Sequence, residues 1–396
     1  MKYDFDSVID RRDTDSLKYD HAARRGMPEG LTPMWVADMD FRSPPCVLDA
    51  LAERVRHGIF GYSEPPGDYF EAARGWFERR HGWRIEENWL VKTPGVVMSL
   101  CTAIHAVTRP GDAVIIQQPV YYPFAGSVTG AGRRLVVNEL RLTDGRYEID
   151  FDDFEEKVVR ERVKLFLLCS PHNPGGRVWT RPELERLGAV CLKNGVTVFS
   201  DEIHEDFVFP GRAHTVFANI SPELDDITIT GTSPSKTFNI AGLHIANTFI
   251  SNRRLRRKFI GAYNGAGMSQ VGAPGIVACR AAYSGGDEWA DELVAYIRGN
   301  LDCLRGFIGA EAPRVEVIEP DGTYLVWLDF RRFGLSDAEL DDIIVNRAGL
   351  WLDSGAIFGA GGKGFQRINI ACPRSVLTRA LDRLADAFRG VDAGNG

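Results

Sequence analysis

A lysine set among small hydroxyl residues, Lys236 in Thr232-Ser233-Pro234-Ser235-Lys236-Thr237-Phe238-Asn239, carries the clearest chemistry in this sequence. It follows an apolar run, Ile227–Thr230, and lies downstream of Ser200-Asp201-Glu202-Ile203-His204. An amine at the mouth of a strand, with hydroxyl and backbone donors beside it, suits a Schiff base to an aldehyde that also bears a phosphate. Pyridoxal phosphate is such a molecule. Its use requires four further groups: an anion at the pyridine nitrogen, a phosphate cradle, a ring-stacking side chain and a clamp for a substrate carboxylate.

Each requirement has a candidate at a strand end or in a loop after a strand, the edge at which open α/β sheets bind ligands. Asp201 ends the run Thr197–Ser200 and could keep a pyridine nitrogen protonated; it could equally cap a following helix. Asn173, in Ser170-Pro171-His172-Asn173-Pro174-Gly175-Gly176, is held between prolines and could offer its amide to the cofactor's 3′-oxygen, or belong to an ordinary turn. Gly95 and Val96, in Thr93-Pro94-Gly95-Val96-Val97, open a helix whose first free N–H groups suit a phosphate, with Ser233 and Ser235 as added hydroxyl donors. Tyr121 is a candidate to stack on the ring, with Tyr122 its competitor. Arg367, on a strand of alternating residues, could form a bidentate pair with an amino-acid carboxylate, or a structural ion pair.

The elements that position these residues alternate. Strands are expected at Ala113–Gln117, Arg134–Val137, Lys164–Cys169, Thr197–Ser200, Ile227–Thr230 and Ile245–Ile250. Helices are expected at Pro45–His57, Gly67–His81, Val96–Val107, Tyr121–Gly130, Arg181–Asn194 and Arg253–Ala262. Short apolar strands separated by amphipathic helices imply an α/β fold with a mostly parallel sheet covered on both faces. After Ser284-Gly285-Gly286 the pattern changes to a long helix (Glu288–Ile308), strands Val315–Glu319 and Tyr324–Leu328, a helix near Ser336–Asn346, a strand Gln366–Ile370 and a closing helix from Arg374. The expected organisation is an N-terminal segment (1–45) packing with a small α+β domain (286–396), and a large cofactor-binding domain (46–285).

Other chemistries fail on context. Gly359-Ala360-Gly361-Gly362-Lys363-Gly364 fits G-x-G-x-x-G, but no strand runs into it and no helix follows. Asp201, Glu202, His204, Glu205 and Asp206 match no metal-ligand spacing, so no metal is expected. No G-x-S-x-G elbow supplies a hydrolase nucleophile. A formal charge of −7 over 396 residues gives no reason to expect nucleic acid or anionic membrane as partners. The one basic run, Arg253-Arg254-Leu255-Arg256-Arg257-Lys258, reads as a solvated helix face. Seven dispersed cysteines without a C-x-x-C pair, and no apolar h-region at the N-terminus, lead us to expect a cytoplasmic protein with reduced thiols.

Taken together the motifs resemble the fold-type-I pyridoxal phosphate enzymes of the class I/II aminotransferase superfamily, and within it the MalY/PatB branch of cystathionine β-lyases or C–S lyases. The resemblance runs nearly the full length. It rests on Pro33-Met34-Trp35-Val36-Ala37-Asp38-Met39-Asp40-Phe41, Phe60-Gly61-Tyr62-Ser63, Ser170-Pro171-His172-Asn173-Pro174-Gly175-Gly176, Ser200-Asp201-Glu202-Ile203-His204, Ser235-Lys236-Thr237-Phe238-Asn239 and Arg367-Ile368-Asn369-Ile370-Ala371. It implies that Lys236 bonds the cofactor, Asp201 pairs with the pyridine nitrogen, Asn173 meets the 3′-oxygen and Arg367 clamps the α-carboxylate of a small amino-acid substrate near Val36 and Ala37. It also implies a homodimer in which Tyr62 of one subunit reaches the site of the other. His204 stands where many aminotransferases carry a tyrosine, and His244 where aspartate aminotransferases carry a phosphate-binding arginine. The activity implied is β-elimination of a cysteine-type thioether. Transamination, another pyridoxal phosphate reaction of specialised metabolism, or a regulatory contact with a transcription activator are the alternatives.

Overall fold

The computed structural model describes residues 2–392. Its centre is a seven-stranded sheet made of β1 (Leu90–Thr93), β2 (Ala113–Gln118), β3 (Arg134–Glu139), β4 (Leu165–Cys169), β5 (Thr197–Asp201), β6 (Thr228–Thr232) and β7 (Ala246–Phe249), in the spatial order β1-β7-β6-β5-β4-β2-β3. β7 runs antiparallel to both neighbours and the other pairs are parallel. Apolar side chains appear at both odd and even positions because both faces are covered. Ile115, Phe166, Leu168 and Val198 join one buried cluster, while Val114, Ile116, Leu165, Leu167 and Phe199 join the other.

The covering helices include α1 (Pro45–His57), α2 (Gly67–His81), α3 (Val96–Val107) and α4 (Ala273–Gly285). Beyond α4 the long α5 (Asp287–Glu311) and the closing α6 (Arg374–Asp392) accompany a four-stranded antiparallel sheet. Its strands are β8 (Glu316–Ile318), β9 (Leu325–Asp329), β10 (Asp353–Ser354) and β11 (Phe365–Asn369), ordered β8-β9-β11-β10.

The N-terminal segment docks beside this smaller sheet. Thr32–Pro33 pairs in parallel with Leu350–Trp351, and Trp35 stacks on Trp351 with ring centroids 4.5 Å apart. The Asn369 amide donates to the Met34 carbonyl at 2.8 Å, and the Asp40 amide to that of Ala371 at 3.0 Å. Asp38 and Asp40 are held by cations of the same segment. Arg11 reaches Asp38 at 2.7 Å and Asp40 at 2.8 Å, and the fully buried Lys18 reaches Asp40 at 2.9 Å. The stretch from Val36 to Asp40 is therefore fixed before any ligand enters.

Differences from the expected elements have local causes. The helix expected from Tyr121 begins at Pro123, whose missing N–H and fixed φ suit a first helical position, so both tyrosines stay on the loop. The helix expected near Ser336–Asn346 is α-helical only over Asp337–Asp342 and continues as a wider π turn over Ile343–Arg347. β1 and α4 have no counterpart in the expected list.

Removing the buried ammonium leaves Asp40 with Arg11 as its one remaining cation beside the Tyr19 hydroxyl. Lys18→Met is expected to cost on the order of 2 kcal/mol and to lower the melting temperature more than Arg11→Ala, whose side chain is part-exposed. Thermal unfolding followed by circular dichroism checks this; equal melting points for the parent and Lys18→Met would contradict it.

Candidate active site

Asp201 and Lys236 come from adjoining parallel strands. Asp201 is the last residue of β5 and is in register with Gly231 of β6. A Cβ on Gly231 would stand 2.8 Å from the Phe199 ring and 3.0 Å from Val96, so the close approach of strands and helix here needs glycine. Past β6, Ser233 caps a short helical turn (Pro234–Thr237) that carries the lysine; its Oγ accepts from the Ser235 amide at 3.1 Å and donates to the Ile245 carbonyl at 2.7 Å. Phe238 is buried against Trp76, centroids 5.3 Å apart. Asn239, in the left-handed region at φ 55°, accepts from the Met39 amide at 2.9 Å and donates to the Met39 and Phe41 carbonyls at 2.8 Å. The lysine turn is thereby stapled to the N-terminal segment, and Lys236 Nζ donates to the Ala37 carbonyl at 2.6 Å.

Burial sets the electrostatics. It pushes the Asp201 carboxyl up to about 7, against the opposing pull of the Ile203 amide and the Lys236 charge. It also pulls the Lys236 amine down to about 8, with Asp38 and Asp201 opposing and Arg367 reinforcing. His204 is driven to about 3 by burial and then by the cations Lys236 and Arg367, so its ring is neutral at pH 7. The segment after Asp201 is a turn over residues 203–206 and not a helix, so Asp201 caps no helix; among the described residues its Oδ1 accepts from the Ile203 amide alone, at 3.2 Å.

These groups border a cavity of about 340 Å³. Of the residues proposed from sequence, Gly95, Val96, Tyr121, Asn173, Asp201, His204, Ser235, Lys236 and Ala37 line it. Tyr121 is the tyrosine on the wall; Tyr122 is 44% exposed beside Phe358. The amide of Tyr121 donates to the Asn173 carbonyl at 3.0 Å, which ties the two loops together. A second cavity of about 640 Å³ adds Val36 and shares Ala37, Lys236, Ala241 and His244 with the first, so the two adjoin at these residues.

Three proposed residues lie elsewhere. Ser233 is committed to capping and to Ile245, and does not line the wall. Arg367 stands behind Asn173: it donates to Asn173 Oδ1 at 3.0 Å and to the Trp35 carbonyl at 2.9 Å, and it pairs with Asp353. Tyr62 is 98% exposed on the extended stretch before α2 and approaches neither cavity. Conversely, Cys169, Ile203 and Ile245 line the wall and Tyr324 donates to the Ala37 carbonyl at 3.0 Å, none of which sequence motifs signalled.

The cavity fits pyridoxal phosphate on its own chemistry. His204 Nδ1 and Arg367 Nε are buried without a partner among the described residues. Asn173 spends its oxygen on Arg367, leaving its NH₂ group as a donor. No side chain caps α3, so the first-turn amides beside Gly95 are open to an anion. Lys236 would bond the aldehyde carbon, Asp201 would face the pyridine nitrogen, and Tyr121 would lie along the ring.

The family model for aminotransferase class I and II matches residues 33–384. The chain is 44% identical over 385 residues to cystathionine β-lyase PatB of Bacillus subtilis, covering 97% of this chain and 99% of that protein. It is 34% identical over 391 residues to protein MalY of Escherichia coli, covering 98% and 100%. The crystal structure of cystalysin from Treponema denticola, which contains a pyridoxal 5′-phosphate cofactor, superposes with a TM-score of 0.95 at 37% identity, over 98% of this chain and 100% of that one.

In cofactor-free protein, labelling of Lys236 by an amine-directed acylating reagent is expected to titrate near 8, because below that pH the amine holds its proton. Asp201→Asn removes a charge that favours the ammonium and should move the midpoint lower. Mass spectrometry of the labelled peptide reads both; a midpoint near the ordinary lysine value of about 10.4 would contradict the burial argument.

Proposed function

Because this chain belongs to the aminotransferase class I and II family, we propose that it is a pyridoxal-phosphate-dependent C–S β-lyase that cleaves an L-cysteine-type thioether such as cystathionine to pyruvate, ammonia and a thiol. The observation that carries elimination over transamination is the full-length similarity to a cystathionine β-lyase at 44% identity, since the site groups serve both reactions.

Bound pyridoxal phosphate supplies the electron sink for a carbanion at the substrate Cα. The chain's own residues do the rest. Lys236, with its amine pulled down to about 8, is free base for a usable fraction of the time at neutral pH, and its Nζ takes the Cα proton. Asp201, buried and lacking a full counter-charge, gains one from a protonated pyridine nitrogen and holds that proton in place. Arg367, held behind Asn173 by that residue and Asp353, has an unpartnered Nε–H that would be offered to the α-carboxylate. As the Cβ–S bond breaks, the electron pair of the Cα–H bond becomes the new C=C bond and the Lys236 ammonium returns its proton to the sulfur. The released enamine hydrolyses to pyruvate and ammonia. The portion of substrate beyond sulfur extends toward the second cavity, bounded by Val36 and Ala37.

A homodimer is part of the proposal. Tyr62 stands beside Val55, Ile59 and Phe60, all exposed, on a stretch that offers apolar surface to a second copy. A reducing, cytoplasmic setting is also proposed, supported by seven unpaired cysteines. No helix among the described residues is long and apolar enough to cross a membrane.

Incubation with cystathionine is expected to release pyruvate and thiol without any 2-oxo acid, and Lys236→Ala to abolish release; turnover only with an added oxo acid would overturn the lyase in favour of a transaminase. Mixing unfolded Lys236→Ala and Tyr62→Ala chains and refolding them together should recover about a quarter of parent activity, since half the dimers are hybrids with one complete site each. No recovery above either variant alone would exclude a Tyr62 contribution across the dimer.

A further inference from the structure

Behind the turn that carries His204 lies a second group of buried ionisable side chains that the reaction does not use. Glu202, Glu205 and Asp206 come from this turn, His81 from the end of α2 and His214 from the loop beyond. Two sets of possible ligand atoms, His81/Glu205/Asp206 and Glu202/Glu205/His214, each lie within 4.8 Å of one another, and Glu205 belongs to both. We propose that Glu205 and His214, with Glu202 and the adjoining His81–Asp206 pair, form a binding site for a divalent first-row cation of the zinc type.

The partners of these groups carry the argument. Glu202 accepts from Ser200 Oγ at 2.7 Å and the Phe217 amide at 3.1 Å through one oxygen, and meets His214 Nε2 at 2.7 Å through the other. A carboxylate can only accept, so Nε2 is the donor of that pair, and in a neutral ring His214 Nδ1 keeps its lone pair. The His214 side chain is 2% exposed and Nδ1 has no donor. Glu205 is 3% exposed and its Oε2 has no donor either. Two unpartnered atoms thus lie buried in one cluster, an arrangement that costs free energy unless a cation or a shared proton joins them. A carboxylate on the far nitrogen of a ligating imidazole is also the usual way a metal-bound histidine is oriented.

The third carboxylate is already satisfied. Asp206 accepts from Thr237 Oγ1 at 2.6 Å, Trp76 Nε1 at 3.2 Å and His81 Nε2 at 2.9 Å. The two histidine rings stand edge to face, centroids 5.7 Å apart, on either side of this acidic centre. Imidazole with carboxylate favours zinc and its first-row neighbours over calcium or magnesium. Spacing along the chain could not reveal the set, because His81 lies 124 residues before Glu205 and His214 lies 9 residues after it, whereas the nearer Asp201 and His204 face the cofactor cavity instead.

The test uses cofactor-loaded full-length protein without an affinity tag. After dialysis against a chelator it is refilled with Zn²⁺, desalted and analysed for elements; a parallel sample receives Co²⁺ and is scanned for ligand-field bands beyond the cofactor's own absorption. About one Zn²⁺ per chain is expected to survive desalting, with Glu205→Gln and His214→Gln each weakening binding about tenfold or more and losing the Co²⁺ bands. Zn²⁺ should also raise the melting temperature of the parent and not of Glu205→Gln. A parent that retains no zinc above background overturns the proposal even if neither variant folds, and leaves a shared proton as what holds the cluster. Zinc retention unchanged in both variants overturns it equally, by placing the ion elsewhere.

Discussion

A lysine amine and an aspartate carboxyl are both taken out of water at the carboxyl edge of one mostly parallel sheet, and most of the surrounding architecture bears on that expense. Burial raises Asp201 to about 7 and lowers Lys236 to about 8, so each is moved toward neutrality and toward the pH at which proton transfer is useful. The lysine is not left loose: the Ala37 carbonyl accepts from it, and Ala37 belongs to a segment fixed by Asn239, Asn369 and the Arg11–Lys18–Asp38–Asp40 ion network. The N-terminal segment therefore bears on catalysis through the Ala37 carbonyl on Lys236 and the Trp35 carbonyl on Arg367. Tyr324, from the loop leading into β9, donates to the same Ala37 oxygen and joins the smaller sheet to the arrangement.

The strand-end positions were readable because their chemistry and their topology coincide. Lys236, Asp201 and Asn173 follow apolar runs, and parallel strands with covered faces bring such loops to one edge. Boundaries were clearest where capping is explicit. The helix over Arg181–Asn194 starts at a Thr180–Glu183 capping box and stops at Gly195 with φ 65°, and both signals stand in the sequence. β1 was missed because four residues with a lysine among them carry no usable period, and α4 because its run of Ala, Gly and Pro has little amphipathic contrast. The place of Ser233 could not be read, since whether a hydroxyl faces a ligand or caps its own turn depends on β7 lying beside it. Arg367 resolves in a similar way: Asp353, its ion-pair partner, sits on a neighbouring strand and has no motif of its own.

The turn from Asp201 to Asp206 serves two interiors. Asp201 and His204 face the cofactor cavity, while Glu202 bonds toward the loop at His214 and Asp206 toward α2, with Glu205 close to both. Thr237, one residue after the lysine, donates to Asp206, so the rear cluster and the reactive amine share a rigid connection. Whatever holds the three carboxylates together also fixes the wall that bears His204. Their burial is part of how the site is kept in register, independent of the reaction performed at its front.

The central claim is that the reactive amine of this protein is the one at Lys236. Borohydride reduction of the protein loaded with pyridoxal phosphate, followed by peptide mapping, tests it most directly. The account predicts that the reduced cofactor is recovered on the peptide containing Lys236 and on no other. Label distributed over surface lysines, or absent from that peptide, would contradict it.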